Sequence, residues 1–208
     1  MANLYHCHLY GILDLGYVAR DAVVPVAEEL VNGGIDILQL RAKDIPKDDI
    51  AAMACQVVPI ARGAQVPLII NDHADIAAAT GADGVHVGQD DDSVNEARAV
   101  VGDGAIVGKS THSLEQARAA SREAVDYIGF GPLFATPTKP DYTPIGLDDI
   151  QTAHEEVTIP IFCIGGVKQD NIATIRQHGA HRVVIVSGIL QSSDKAAYIQ
   201  SCRDALLS

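Results

Sequence analysis

No run of apolar residues in this 208-residue chain approaches the roughly 18 that a membrane span needs, so a bilayer is not the expected environment. Met1 to Leu13 show no basic start followed by an apolar stretch and a small-residue cleavage site, so no secretory signal is expected and the cytoplasm is the expected location. Basic residues are scarce, 15 Lys and Arg against 27 Asp and Glu, and the net charge of −12 speaks against nucleic acid or an anionic membrane as the main partner. Any anion bound here must therefore be drawn by a local cluster. The four cysteines, Cys7, Cys55, Cys163 and Cys202, form no CxxC pair and have no histidine at zinc spacing, so all four are expected to be reduced thiols in structural positions. Nothing resembles a linker or a low-complexity segment, and no Gly-x-Gly-x-x-Gly follows the first β-like run, which removes the main signature of a dinucleotide fold.

What is present is a regular alternation. Short β-rich apolar runs at 9–13, 35–40, 67–70, 84–87, 106–108, 127–130, 161–164 and 183–186 are each followed by an Ala-rich amphipathic stretch or a short loop leading to one. Eight such units predict a (β/α)₈ TIM barrel, α/β in class, with residues 1–208 as a single catalytic domain near the lower size limit for the fold. Ser93-x-x-Glu96 and Ser113-x-x-Gln116 have the spacing of helix-starting capping boxes. Gly81-Ala82-Asp83-Gly84-Val85 and Gly179-Ala180-His181-Arg182-Val183 echo one another as helix-closing turns that enter a strand.

In such a barrel chemistry belongs at the carboxyl ends of the strands. At the end of the second, Gln39, Arg41 and Lys43 alternate with Leu38, Leu40 and Ala42, and the two-residue period sets the polar three on the lumen face and the apolar three against the helices. Two cations at a barrel mouth are costly to desolvate unless they meet an anion, and phosphate oxygens match them. The third strand ends in Asn71-Asp72 and the fourth in Gly88-Gln89-Asp90-Asp91, so neighbouring carboxylates can share a hard divalent ion such as Mg²⁺ beside substrate phosphates. The long loop between residues 131 and 146 carries Thr136, Pro137, Thr138 and Lys139, hydroxyls and an ammonium suited to phosphoryl oxygens and to a lid. Gly165-Gly166 and Val186-Ser187-Gly188 end the seventh and eighth strands, the usual phosphate site of the fold. Ser110 and His112 do not make a nucleophile pair, because neighbours in a turn seldom align hydroxyl and imidazole, and His86 reads as a hydrogen-bonded interior histidine. Two anion sites, one with a metal, fit an enzyme that joins two small phosphorylated molecules.

In order and spacing, Gln39-Leu40-Arg41-Ala42-Lys43, Ile70-Asn71-Asp72, Val85-His86-Val87-Gly88-Gln89-Asp90-Asp91, Ser110-Thr111-His112-Ser113, Gly129-Phe130-Gly131-Pro132, Thr136-Pro137-Thr138-Lys139, Gly165-Gly166 and Val186-Ser187 resemble the thiamine-phosphate synthase family over nearly the whole chain. The resemblance implies that Gln39, Leu40, Arg41, Ala42, Lys43, Asn71 and Lys139 hold a pyrimidine pyrophosphate. It implies Asp72 and Asp91, rather than Asp90, as Mg²⁺ ligands. By the same likeness Thr136, Pro137, Thr138, Gly166, Val186 and Ser187 hold a thiazole phosphate, Ser110 lies near the reacting pyrimidine, and Ser110, Lys139, Arg41 and Lys43 carry the catalytic roles. The implied reaction is dissociative: pyrophosphate leaves, the aminopyrimidine spreads the cation, and the thiazole nitrogen attacks. A homodimer is what the family suggests.

Two small departures stand out. Lys109 adds a cation before Ser110, and His73 follows the aspartate where arginine is the more expected residue. The nearest alternative is a thiazole tautomerase, which resembles this mouth but has a histidine just after the sixth strand, where this chain has Pro132. A non-catalytic sensor of thiamine precursors is a further alternative, and it would need no carboxylate pair.

Overall fold

The computed structural model describes residues 3–136 and 143–207, and the expected ligands Pro137, Thr138 and Lys139 lie outside them. Eight parallel strands close in chain order: β1 (Leu9–Asp14), β2 (Ile37–Arg41), β3 (Leu68–Asn71), β4 (Gly84–Val87), β5 (Ile106–Thr111), β6 (Tyr127–Phe130), β7 (Ile161–Cys163) and β8 (Val183–Ile185), with β8 pairing back onto β1. Between them run α1 (Val23–Gly33), α2 (Lys47–Gly63), α3 (Ala74–Thr80), α4 (Val94–Val101), α5 (Leu114–Ala120), α6 (Ile150–Glu156) and α7 (Ile172–Gln177). A single turn, α8 (Ser187–Leu190), and α9 (Lys195–Leu207) follow β8. Among the described residues no helix is long and apolar enough to cross a membrane.

The two-residue period of the strands divides the core into two shells. Leu9, Leu13, Leu38, Leu40, Ile70, Val85, Val107, Ile128, Ile161 and Ile185 point outward and pack under the helices. Tyr10, Ile12, Ile37, Ile69, Ile106, Tyr127, Phe162 and Val184 point inward and fill the lumen, closed from below by Leu4 and Cys7. Each such fully buried side chain contributes roughly 1.5–3 kcal/mol of transfer free energy. The rings of Tyr10, Tyr127 and Phe162 meet edge to face at centroid distances of 5.5–5.8 Å. Gly108 on β5 makes this possible, since a Cβ there would collide with the Tyr127 ring.

Ser93 and Glu96 form the full capping box of α4. The second box is only half made: Ser113 Oγ accepts from the Gln116 amide, but the Gln116 side chain turns to accept from the His112 N–H at 2.8 Å. Gly81 closes α3 in the left-handed region, and Gly179 stands past α7 with φ +98°. Cys7, Cys163 and Cys202 are buried free thiols, and burial pushes Cys163 up to about 12, far from a reactive thiolate. The expectation of a structural position fails for Cys55, which lies exposed on α2 because its phase faces away from the barrel.

Away from the strand ends, His154 on α6 stacks edge-on against His181 at 4.9 Å, and its buried Nε2 finds no hydrogen-bond partner among the described residues. Burial, with His181 and Arg182 nearby, lowers its pKa from 6.5 to about 4. The unfolded chain therefore binds a proton there before the folded one does, so this stability is complete above pH 6.5 and is lost as pH falls toward 4. In melts from pH 7 to pH 4, His154→Leu should lose less stability than the wild type. Parallel Tm curves would remove His154 as the source.

Candidate active site

The site forms where the lumen opens at the strand carboxyl ends, and strand register decides who meets whom. Because Ile12 pairs with Gln39 and Asp14 with Arg41, the inward faces of β1 and β2 share layers. Asp14 is 2% exposed and accepts from Arg41 Nη1 at 2.7 Å through one oxygen and from the Gly16 N–H at 2.8 Å through the other. Arg41 thus reaches the mouth already aimed. Asp14 was not among the residues expected at the site, although an acid ending β1 in the phase of Tyr10 and Ile12 was the signal for it. Gln39 sits deeper, 3% exposed, donating through Nε2 to the Tyr10 hydroxyl at 2.7 Å. The side chains of Leu40 and Ala42 pack in the shell under the helices, so only their backbone can face a ligand.

Lys43, beyond the strand, does not join Arg41. It pairs with Asp72, which lies after β3 at φ +64°, a conformation aspartate tolerates better than most residues. Asp72 has its carboxyl raised above the usual range, first by burial and then by the Asp91 carboxylate beside it, against which Lys43 acts. Asp91 is held by the Gly88 N–H at 2.7 Å. The two aspartates from separate strand ends thus do converge, and Asn71 lines the adjoining cavity. Among the described residues no group of three or more His, Cys, Asp or Glu is arranged to hold a metal ion. A pair of hard carboxylate oxygens, its mutual repulsion relieved by positive charge, still fits an ion that takes its remaining ligands from water and substrate.

Ser110 does have a histidine partner, though not His112. Its Oγ lies 2.9 Å from His86 Nε2, while His112 Nδ1 is 2.6 Å from the Gly131 carbonyl. His86 Nδ1 in turn meets the Tyr127 hydroxyl at 3.0 Å, a neutral phenol in the place where a Ser-His-acid arrangement has a carboxylate. The interior reading of His86 holds, but its link to Ser110 was missed because it depends on neighbouring strands rather than on sequence spacing. Lys109 turns outward to Glu123 at 2.7 Å and brings no charge to the mouth.

On the opposite rim Gly165 and Gly166, at φ +95° and +67°, let the β7 loop run against residues 132–134; a Cβ on Gly166 would lie 2.7 Å from that of Phe134. Backbone bonds from Leu133 to Ile164 and from Phe134 to Gly165 fasten the segment there. Thr136, Gly166 and Ser187 consequently line one pocket that is continuous with the lumen mouth, and Val186 borders the lumen side. Pro132 is buried and offers neither proton nor lone pair for acid–base work.

A closed parallel barrel with an arginine, amides, hydroxyls and glycine turns converging at its carboxyl end defines an enzyme built for small phosphorylated molecules. Residues 9–189 match the family model described as thiamine monophosphate synthase. A thiamine-phosphate synthase of Chloroflexus aurantiacus is 39% identical, over 100% of this chain and 96% of its own length. One from Halalkalibacterium halodurans is 40% identical over 89% of each. The solved thiamine phosphate pyrophosphorylase of Pyrococcus furiosus superposes with a TM-score of 0.88 at 28% identity, covering 99% of this chain and 98% of that one. A 3-hexulose-6-phosphate synthase, with a TM-score of 0.67 at 20% identity, shares the fold alone. The chain belongs to the thiamine monophosphate synthase family and is a transferase.

Proposed function

We propose that residues 1–208 act as one catalytic domain that joins 4-amino-2-methyl-5-(hydroxymethyl)pyrimidine pyrophosphate to a thiazole phosphate, carboxylated or not, giving thiamine phosphate and pyrophosphate. The observation that carries this reading is the Asp14-braced Arg41 in the same cavity as Asn71, the sequence neighbour of Asp72 in the Asp72–Asp91 pair, with a second, glycine-lined pocket at Thr136, Gly166 and Ser187. Arg41, Lys43, Asn71 and Lys139 hold the pyrophosphate and neutralise it as it departs. Asp72 and Asp91 would hold Mg²⁺, which when bound supplies positive charge to the pyrophosphate oxygens. Gln39 and Ser110 orient the pyrimidine, and Thr136, Pro137, Thr138, Gly166, Val186 and Ser187 hold the thiazole phosphate so that its nitrogen faces the carbon that pyrophosphate leaves. The bond from that carbon to oxygen breaks first, the aminopyrimidine carries the positive charge, and the nitrogen lone pair then forms the new C–N bond. Such a step rests on positioning, charge neutralisation and exclusion of water, and it requires no protein nucleophile.

Purified protein mixed with both substrates and Mg²⁺ should give a product that oxidises to fluorescent thiochrome. Fluorescence no higher than an enzyme-free control overturns the reading. A cytoplasmic location and a homodimer belong to the same proposal, and light scattering at twice the chain mass of 21.9 kDa would support the dimer.

A further inference from the structure

The lumen below the mouth holds a continuous chain of hydrogen bonds of which the reaction as described uses only the two ends. Gln39 Nε2 donates to Tyr10 OH at 2.7 Å, Tyr10 OH meets Tyr127 OH at 2.9 Å, Tyr127 OH meets His86 Nδ1 at 3.0 Å, and His86 Nε2 meets Ser110 Oγ at 2.9 Å. Five residues from β1, β2, β4, β5 and β6 are thus linked from wall to wall. Each tyrosine hydroxyl has a single proton, and burial holds both tyrosines well above the ordinary phenol range, so neither loses it.

With one end fixed, the need to pair every buried proton fixes the rest. Tyr10 accepts from Gln39, and its own proton goes to Tyr127, because accepting from Tyr127 as well would leave the Tyr10 proton buried without an acceptor. Tyr127 must then donate to His86 Nδ1. His86 therefore carries its proton on Nε2 and donates to Ser110, whose hydroxyl proton is left for the cavity. At the other end the Gln39 amide, with nitrogen spent on Tyr10, leaves its carbonyl oxygen to the same cavity, which both residues line.

We propose that Tyr10, Tyr127 and His86 are positioning residues that set the direction of this chain, so that Ser110 presents a hydroxyl donor and Gln39 a carbonyl acceptor to an aminopyrimidine. The proposal rests on the substrate reading above and adds the device that orients its contacts. A 4-aminopyrimidine has ring nitrogens that accept and an amino group that donates, and the lumen offers one group of each complementary kind. In the reverse direction Gln39 would present N–H and Ser110 lone pairs, so the polarity at each end would be exchanged and the heterocycle would have to turn its amino group to the other wall. Buried chains of this kind gain from mutual polarisation, so the direction is held as a unit. Gly108 belongs to the device, because its missing side chain is the space that the Tyr127 ring occupies.

The direction can be read without turnover. Long-range ¹H–¹⁵N correlation of the histidine side chains, with His86 assigned by its disappearance in His86→Gln, should show the neutral Nε2–H form. A proton on Nδ1 would overturn the proposal even if the enzyme is fully active. In turnover, Tyr127→Phe removes one oxygen and keeps the ring. It should lower kcat about tenfold, the order expected for one oriented hydrogen bond, with KM for the thiazole phosphate unchanged. The double variant Tyr127→Phe/Ser110→Ala should be slower than Ser110→Ala by much less than the tenfold that Tyr127→Phe costs the wild type, because much of what Tyr127 does passes through Ser110 and only the Gln39 end remains to be disturbed. Additive losses would show Tyr127 acting by another route and would end the proposal. Wild-type protein that shows Nε2–H but makes no thiamine phosphate would leave the relay intact and remove the substrate reading instead.

Discussion

Replacing Asp72 by Ala is expected to lower kcat on the order of 10³-fold, the scale seen when a preorganised charge-stabilising group is removed from an active site. The carboxylate is only 13% exposed, lies against Asp91 and is paired with Lys43, so two other charged groups at the mouth depend on it. Lys43, at 47% exposure, can turn to water when its partner goes, so the fold should lose little. The backbone complicates Ala, since φ at Asp72 is +64°, where an alanine Cβ is strained. Asp72→Asn tolerates that conformation, keeps the volume and removes only the charge, and it should fall almost as far in kcat while melting with the wild type. Asp90→Ala, one position from the other carboxylate, serves as the control and should keep nearly full rate. The assay is thiochrome formation across a Mg²⁺ titration. Full rate for Asp72→Asn would dissolve the assignment of the carboxylate pair to the metal.

The eight strands were legible because each carries a β-rich run with turn signals beside it, and their observed bounds differ by at most a few residues. The largest difference is β5, which continues through Lys109, Ser110 and Thr111 past the expected end at Gly108, because Lys109, Ser110 and Thr111 pair with Ile128, Gly129 and Phe130 of β6. Polar residues read as inward from the two-residue phase, such as Gln39 and Arg41, lie where that phase puts them. What did not follow from the sequence is anything decided by register between strands. Asp14 meets Arg41 only because β1 and β2 pair at those two residues. His86 meets Ser110 because β4 and β5 pair His86 with Gly108, two residues before Ser110 on the same inward face, and the space left at Gly108 admits the ring of Tyr127 that His86 meets on its other side. Lys109 looked like one more cation at the mouth, yet the same alternation that points Ser110 inward sends Lys109 out to Glu123. Helix caps carried a related ambiguity: Gln116 has the right spacing to close a box on Ser113, but its side chain accepts from the His112 N–H instead.

The Asp14–Arg41 pair leads to the other large effect. Asp14→Ala should destabilise the fold by about 3 kcal/mol, the lower end for breaking a buried ion pair, because the Arg41 guanidinium faces a cavity that admits water. For a chain of this size that corresponds to a fall in Tm of roughly 6–12 °C. Part of the cost is the Gly16 N–H, which loses its acceptor as well. Asp14→Asn isolates the charge, since an amide oxygen can still take the Gly16 N–H while the guanidinium goes unneutralised. Arg41→Ala leaves the opposite orphan, a carboxylate 2% exposed with no cation, so it should also melt early, and the double variant Asp14→Ala/Arg41→Ala should recover part of the loss. Pyrophosphate separates the structural from the binding role of the pair. An unneutralised Arg41 has more to gain from an anion, so added pyrophosphate should raise the Tm of Asp14→Asn by more than that of the wild type and leave Arg41→Ala nearly unmoved. If pyrophosphate shifts all three melts equally, Arg41 is not the group that receives it, and the anion site on β2 falls with it.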